Sequence, residues 1–587
     1  MTSIDLNAIH SPADIKDMSI EELTALCAEM RSALLRKLSA HGGHVGPNLG
    51  MVEAIVAMHY VFDAPDDKIV FDVSHQSYPH KMLTGRMQAF TDPAHYDDVT
   101  GYTNPSESPY DLFSVGHTST SLALAAGLAK ARDLKGDKEN VIAVIGDASL
   151  GGGEAFEGLN YGSTLGTNFI VVVNDNQMSI AENHGGLYAD LRLLRNSNGT
   201  AEPNFFRATG YAYRYVRYGN DLRSLIEMFR AVKDIDHPVV VHINTFKGLG
   251  LPAAEANKEE FHYSGPFDLK SGAPLTSEPA GDEPASYDDI FANHILDLMK
   301  TNDSIVALTA GTPGAIGFYP ERRREAGKRF VDVGIAEQMG VGMTAGLAKA
   351  GIRPVFGVVS SFLQRAYDQL SQDVAINRMP SVFVVFYTGL FGMNDETHLG
   401  IFDIPLLSNI PNYIYLAPTC REEYLSMIDW AIRQTERPVA VRTPGGTVVS
   451  NPAIELLDDY STPAYETVRQ GKGDVAIIAV GNMLPTAVKA AEIAAEKWVD
   501  ATVINPRNVT QLDTATLDTL RDYRLVVTAE DGILDGGFGQ KVAAYLGEAP
   551  VEVKCLGVKK AFYNRYNPAE LAAKAGLTAE SMAALLA

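Results

Sequence analysis

The 587-residue chain carries 49 Lys and Arg against 72 Asp and Glu, a formal net charge of −23, and 46% of its residues are hydrophobic. This is the balance of a soluble globular protein, and it argues against nonspecific binding to nucleic acid or to an anionic membrane. Three scattered cysteines, Cys27, Cys420 and Cys555, make neither a disulfide framework nor a metal-ligand cluster and point to a reducing cytosol, hence a cytoplasmic protein.

The length predicts several domains. The first residues lack a basic segment followed by an apolar core, so no signal peptide is expected. No stretch approaches 18 apolar residues, so no membrane span is expected either. Ser19 and Glu22 form a capping-box pattern that opens a helix. A loop rich in Gly, His and Pro follows over 41–50, then a helix over 51–61, a strand over 68–73, a loop over 74–81, and a helix after 114–120. Apolar runs over 141–145 and 169–173 read as strands flanking a Gly-rich helix start, and 237–250 as a strand ending in a Gly-rich loop. Residues 264–286, rich in Pro, Gly, Ser and acid, read as a linker. A second block has strands over 305–308, 355–359, 381–386, 413–416 and 439–441. After a second linker over 449–470, a third block has strands over 475–480, 501–504, 525–528 and 551–555. Strands alternating with helices imply parallel sheets. The predicted fold class is α/β, with three consecutive α/β domains over 1–270, 287–448 and 471–587.

The central motif is Gly146-Asp147-Ala148, with Asn176 following the next strand. A strand, helix and parallel strand would bring Asp147 and Asn176 to one carboxyl edge, where open α/β sheets bind ligands. A carboxylate beside an amide oxygen suits Mg²⁺, which takes its other ligands from diphosphate and water. The spacing resembles the thiamine diphosphate motif, with Ala148 in place of its second glycine. Another Gly-rich string, at 536–541, lacks the strand-and-acid context of a nucleotide site.

Several strings converge on one family: GGHVGPNLGMVE, FDVSHQSYPHKMLTGR, SVGHTSTS, GDASLGGGEAFEGLN, NDNQMSIAEN, DVGIAEQ, SSFLQRAYDQLSQDVA and THLGIFD. In this order they resemble the 1-deoxy-D-xylulose-5-phosphate synthases, thiamine diphosphate enzymes of the transketolase superfamily. The resemblance implies a transketolase-like homodimer that uses thiamine diphosphate and Mg²⁺. Its implied substrates are pyruvate and an aldehyde, D-glyceraldehyde 3-phosphate in the family. The product, 1-deoxy-D-xylulose 5-phosphate, feeds isoprenoid, thiamine and pyridoxal biosynthesis. Glu337 is similar to the glutamate that activates the cofactor's pyrimidine, and Phe362 to the aromatic that stacks on it. Arg365 is expected to support the cofactor or the substrate carboxylate. His44 and His398 are expected in the chemistry, and His75, His117, Ala148 and Lys247 at the cofactor. Asp147, Asn176 and the Met178 carbonyl are expected at the metal. His262 lies in a less similar loop.

The departures fall where the family recognises its acceptor. The family's Asp-Arg-Ala-Gly is here Phe386-Tyr387-Thr388-Gly389, its Gly-Ala-Asp-Gly is Gly392-Met393-Asn394-Asp395, and its Tyr-Pro-Arg-Gly is Thr443-Pro444-Gly445-Gly446. Both phosphate-gripping arginines are therefore missing, and Met339 replaces a histidine. Arg442, Arg565 and Lys559 are the candidates to compensate. The alternative reading is an acyloin-forming relative that uses another aldehyde acceptor, either unphosphorylated or differently charged. A transketolase, or a non-catalytic cofactor-binding relative, stands behind these two.

Overall fold

The structure is a computed structural model and describes residues 4–275 and 286–587. The expected linker over 264–286 therefore lies partly outside the described residues. The chain divides into two compact units, Met1–Gly281 with Gly334–Ala336, and Asp282–Val333 with Glu337–Ala587.

The first unit is built on one parallel sheet, in the order β1-β2-β3-β5-β4. Its strands are β1 (Lys68–Phe71), β2 (Val141–Gly146), β3 (Phe169–Asp175), β4 (Ala212–Val216) and β5 (Pro238–Asn244). The apolar runs predicted as strands are buried on both faces, as helix-covered parallel strands are. One face packs on a core that includes Leu49, Ile55, Ile142 and Ile170, the other on a core that includes Leu122, Ala143, Leu159 and Val171. The helix Ile20–His41 starts as its capping box predicts: Glu22 N–H donates to Ser19 Oγ at 3.2 Å, and Ser19 N–H to Glu22 Oε2 at 2.8 Å. The next helix is Gly46–Val61, so it begins inside the loop expected over 41–50, with Pro47 in its first turn. Proline is pre-organised for that position, where its missing N–H costs nothing. β4 was not predicted; it is an edge strand whose polar residues interrupt the apolar pattern.

The second unit holds two sheets. One is parallel throughout, in the order β10-β11-β9-β8-β6-β7. It comprises β6 (Ile305–Thr309), β7 (Phe330–Asp332), β8 (Arg353–Val359), β9 (Val382–Phe386), β10 (Ile414–Leu416) and β11 (Val439–Arg442). The other has the order β12-β14-β13-β15-β16, from β12 (Glu466–Arg469), β13 (Val475–Ala479), β14 (Thr502–Asn505), β15 (Leu525–Ile533) and β16 (Glu552–Val558). Its β12 is antiparallel to β14 and lies within the stretch 449–470 expected to be a linker. It is a largely exposed edge with no apolar run, which is why the hydrophobic pattern did not show it. The two sheets share a core through Phe383, Tyr415, Ile478 and Val526. They are also pinned by Ala417 N–H to Arg507 O at 2.7 Å and Val509 N–H to Tyr415 O at 2.9 Å. Arg507 is buried at this junction, donating to Glu423 Oε1 at 3.0 Å and Glu466 Oε2 at 2.8 Å.

The Gly-rich string at 536–541 opens the helix Phe538–Leu546. The N–H groups of Phe538 and Gly539 donate to the buried Glu530 carboxyl at 2.9 and 2.8 Å, so these donors serve the chain itself. Burial overrides those bonds and pushes the Glu530 carboxyl up to about 7. A carboxyl raised on folding stabilises most below its unfolded pKa, and that contribution is lost as pH rises through about 7. Urea unfolding should therefore show a loss of stability between pH 5 and pH 8 that is smaller in Glu530→Gln than in the unsubstituted protein. The difference should be on the order of 1–3 kcal/mol.

Candidate functional site

Parallel pairing sets the group of residues in the first unit. β2 and β3 run side by side with Gly146 opposite Asn174, so the residues that follow each strand emerge at the same carboxyl edge. Asp147 N–H donates to Asn174 O at 3.0 Å, and Asp147 Oδ2 accepts Gln177 N–H and Asn183 Nδ2, both at 2.9 Å. Asn176 Oδ1 accepts Met178 N–H at 3.2 Å, which turns the chain after β3. Asp147 is 2% exposed. Burial, and then the neighbouring Asp175, push its carboxyl well above the usual range. Asp175 is itself held down, against its burial, by His242 at 2.9 Å and by a short ion pair with Arg195. Ala148 accepts Tyr188 Oη–H on its carbonyl at 3.1 Å.

The loop bearing His117 is fastened by a buried carboxylate: Asp72 accepts Ser119 N–H at 2.8 Å and Ser121 N–H at 2.9 Å. Ser119 Oγ donates in turn to Ser149 O at 2.8 Å. A Cβ at Gly152 would lie 2.2 Å from Ser119 Oγ, so only glycine lets these two turns meet. Asn48 ties two histidine loops together, its Nδ2 donating to the carbonyls of His44 and His75, each at 2.8 Å. A two-bond bridge between Gly43 and Ser264 (2.8 and 3.0 Å) brings His262 and Tyr263 to the same place. The His44 ring meets those of His75 at 5.2 Å, Tyr102 at 5.5 Å, His262 at 5.9 Å and Tyr263 at 5.1 Å. His75 and His262 stack at 5.1 Å. Lys247 is buried, donating to Ser179 O at 2.6 Å and lying 3.2 Å from His262 Nδ1. Burial pulls Lys247 down to about 7. Burial, followed by Lys247, His75 and His44, keeps His262 well below its ordinary value.

The second unit carries the remaining predicted residues, also beyond strand ends. Glu337 begins the helix Glu337–Lys349 after β7, is 4% exposed, and its carboxyl is raised by burial. Its Oε2 has no hydrogen-bond partner among the described residues, although Arg365 Nη1 stands 3.8 Å away. Phe362 follows β8 and meets the His398 ring edge-on at 5.5 Å. His398 Nδ1 lies 2.8 Å from Thr397 Oγ1 and 3.9 Å from Asp395 Oδ1. Met339 is exposed.

Arg442 does not fill the role open to it. It is 2% exposed, and donates to Asp403 Oδ2 at 2.6 Å and Asp531 Oδ1 at 2.5 Å. Tyr415 Oη also donates to Asp403 Oδ2, at 2.6 Å. Two carboxylates consume its charge inside the protein. Gly389, at φ +65°, packs against this group, and a Cβ there would lie 2.1 Å from Asp531 Oδ2.

The structure thus gathers Asp147, Ala148, Asn176, Met178, His44, His75, His117, Lys247 and His262 in the first unit. It gathers Glu337, Phe362, Arg365 and His398 in the second. Reading the chain missed Asn48, Asn183, Tyr102 and Tyr263. Asn48 and Asn183 lie inside matched strings, which was the available signal, whereas Tyr102 and Tyr263 lie outside them.

Three family models match in succession: 1-deoxy-D-xylulose-5-phosphate synthase over residues 6–203, the transketolase pyrimidine binding domain over 283–448, and the transketolase C-terminal domain over 464–582. The chain is 38% identical to the 1-deoxy-D-xylulose-5-phosphate synthase of Desulforudis audaxviator, over 98% of this chain and 96% of that one. It is 40% identical to that of Thermomicrobium roseum, with the same coverage. Against synthase 1 of Geobacter sulfurreducens it is 39% identical, over 99% of this chain and 96% of that one. A solved transketolase from Leishmania mexicana is 16% identical over 97% of both chains, with a TM-score of 0.44. Fold and models define a thiamine diphosphate-dependent transferase of the transketolase type. The chain belongs to the 1-deoxy-D-xylulose-5-phosphate synthase family.

Replacing Arg442 by Met would leave Asp403 and Asp531 buried and unpaired, at a cost of about 3–5 kcal/mol. Urea unfolding should show that loss, and adding Asp403→Asn and Asp531→Asn should recover much of it.

Proposed function

We propose that this protein condenses pyruvate with D-glyceraldehyde 3-phosphate, releasing carbon dioxide and forming 1-deoxy-D-xylulose 5-phosphate. The near-full-length identity to curated synthases carries the reading. The two groups of residues support it, because each has the chemistry of one end of thiamine diphosphate.

The residues fit the cofactor and its metal. Asp147 is a buried carboxyl whose ionisation is opposed by its surroundings, and a bound cation would remove that cost. Among the described residues no three His, Cys, Asp or Glu side chains form a metal cluster. That fits Mg²⁺, which needs few protein ligands. Asp147, Asn176 and the Met178 carbonyl would hold it. Lys247, His75, His117 and the backbone at Ala148 would hold the diphosphate. When bound, thiamine diphosphate supplies a nucleophilic carbon and an electron sink for decarboxylation. Glu337 would share a proton with the aminopyrimidine: its dry carboxyl has an oxygen with no hydrogen-bond partner among the described residues. Phe362 would stack on that ring, and Arg365, beside Glu337, would restrain the carboxyl. His44 and His398 would move protons at the substrate oxygens.

The domain limits proposed are 1–270, 287–448 and 471–587. No helix among the described residues is long and apolar enough to cross a membrane. We place the enzyme in the cytoplasm, serving isoprenoid and thiamine biosynthesis, as a homodimer.

Glu337→Gln should lower pyruvate-dependent carbon dioxide release by at least ~10²-fold while leaving the thermal unfolding curve in place. Retained activity would overturn the assignment. A diphosphate beside Lys247 would favour its charged form. Cofactor affinity should then be highest below about pH 7 and fall as pH rises above it, with a proton taken up on binding. Calorimetric titration of thiamine diphosphate with Mg²⁺, in buffers of different ionisation enthalpy, should show that uptake, and Lys247→Met should abolish it. The reaction itself is tested by comparing glyceraldehyde 3-phosphate with glyceraldehyde, and preference for the unphosphorylated acceptor would overturn it.

A further inference from the structure

We infer that a cavity beside Ser361 binds an uncharged small molecule with an apolar body and one hydrogen-bonding group. The cavity measures about 310 Å³ and lies wholly within the second unit. That volume is in the range of small-molecule pockets. Ser361 and Leu399 line it and adjoin Phe362 and His398 in the chain, but none of the residues assigned to the cofactor lines it. The segment after β8, the stretch 399–409 and the end of β15 form its walls. These are tied together before any ligand arrives. Ser360 Oγ donates to Gly400 O at 3.3 Å, and Ile533 N–H donates to Ile401 O at 3.1 Å. Phe402, in the wall, is backed by the strap Phe562–Tyr566. Phe562 packs edge-on against it at 6.0 Å, Arg565 N–H donates to Asn394 O at 2.7 Å, and Tyr566 Oη donates to Leu390 O at 2.9 Å.

The lining sets the charge of the ligand. Leu399, Phe402, Leu406 and Ile533 present an apolar surface. Among the described residues no Lys, Arg or His lines the cavity, so an anion would find no counter-charge. The one carboxylate in the lining, Asp403, already accepts hydrogen bonds from Arg442 and Tyr415 and offers little to a cation. What remains open is the Ser361 hydroxyl. Ser361 is 3% exposed, and its Oγ has no hydrogen-bond partner among the described residues. A buried hydroxyl without a partner is unfavourable, and a hydroxyl or carbonyl on a ligand would remove that penalty. Pyruvate, phosphorylated aldehydes and thiamine diphosphate are anions, so this cavity stands apart from the reaction proposed above and the inference does not depend on it.

The test is a ligand-observed NMR titration of the full-length protein with benzyl alcohol, using benzoate and benzylammonium as charged counterparts of similar size. Benzyl alcohol should bind saturably, and each charged probe at least ~10-fold more weakly, because an ion entering an apolar cavity loses its hydration. Ser361→Ala should weaken benzyl alcohol about 3–10-fold. Leu406→Trp, which fills the cavity from a half-buried position, should abolish binding while the thermal unfolding transition is kept. Ser361→Ala removes a single oxygen, so it reports on the site even where the tryptophan variant does not fold. Absence of saturable binding, equal affinity for benzoate, unchanged affinity in Ser361→Ala, or binding that survives in folded Leu406→Trp would overturn the site. A change of oligomeric state in Leu406→Trp, read by sedimentation velocity, would assign the cavity to a contact between copies of the chain and overturn it as well.

Discussion

Parallel strand pairing is the constraint on which the site depends. In a parallel sheet every strand ends at the same edge, so residues distant in sequence arrive together without any long-range design of their own. Asp147 and Asn176 follow neighbouring strands of the first sheet. Glu337, Phe362 and the His398 loop follow β7, β8 and β9 of the second. What each position then needs is local: a turn, a buried anchor, and a carboxyl or imidazole kept from water. Asn48 and Asp72 are such anchors: the Asn48 side chain holds the His44 and His75 segments together, and the Asp72 carboxylate fastens the segment Ser119–Ser121.

The part of this plan carried by apolar runs was legible in the chain. The runs over 141–145 and 169–173 are buried strands, and the residues after them lie where alternation of strand and helix placed them. β4 and β12 escaped notice because edge strands face water and carry mixed side chains, which erases the hydrophobic signal. Tyr102 and Tyr263 were missed for a different reason. Their contact with His44 depends on the bridge between Gly43 and Ser264 and on the path of a loop, and neither leaves a periodic trace. Arg442 shows the opposite error: a basic residue near the right strand end was a plausible anion ligand until its two carboxylate partners were seen.

The allocation of cations follows from the chain's acidity. With a net charge of −23, much of the basic complement is used internally. Arg442 and Arg507 join secondary-structure elements of the second unit, and Arg86 with Lys81 neutralises Glu107 and Asp111 in the first. Buried pairs of this kind are costly to break singly, because removal of one partner strands the other in a dry interior.

The strap formed by Phe562–Tyr566 has a consequence for how such an enzyme can diversify. It lies beyond the last strand of the third sheet, far along the chain from the acids and histidines assigned to the cofactor, yet it touches the loop of His398. Substitutions there can accumulate without disturbing the buried carboxyls proposed for the cofactor. The loop of His398 can thereby be repositioned by changes in an exposed terminal ribbon, apart from the buried cores of the sheets.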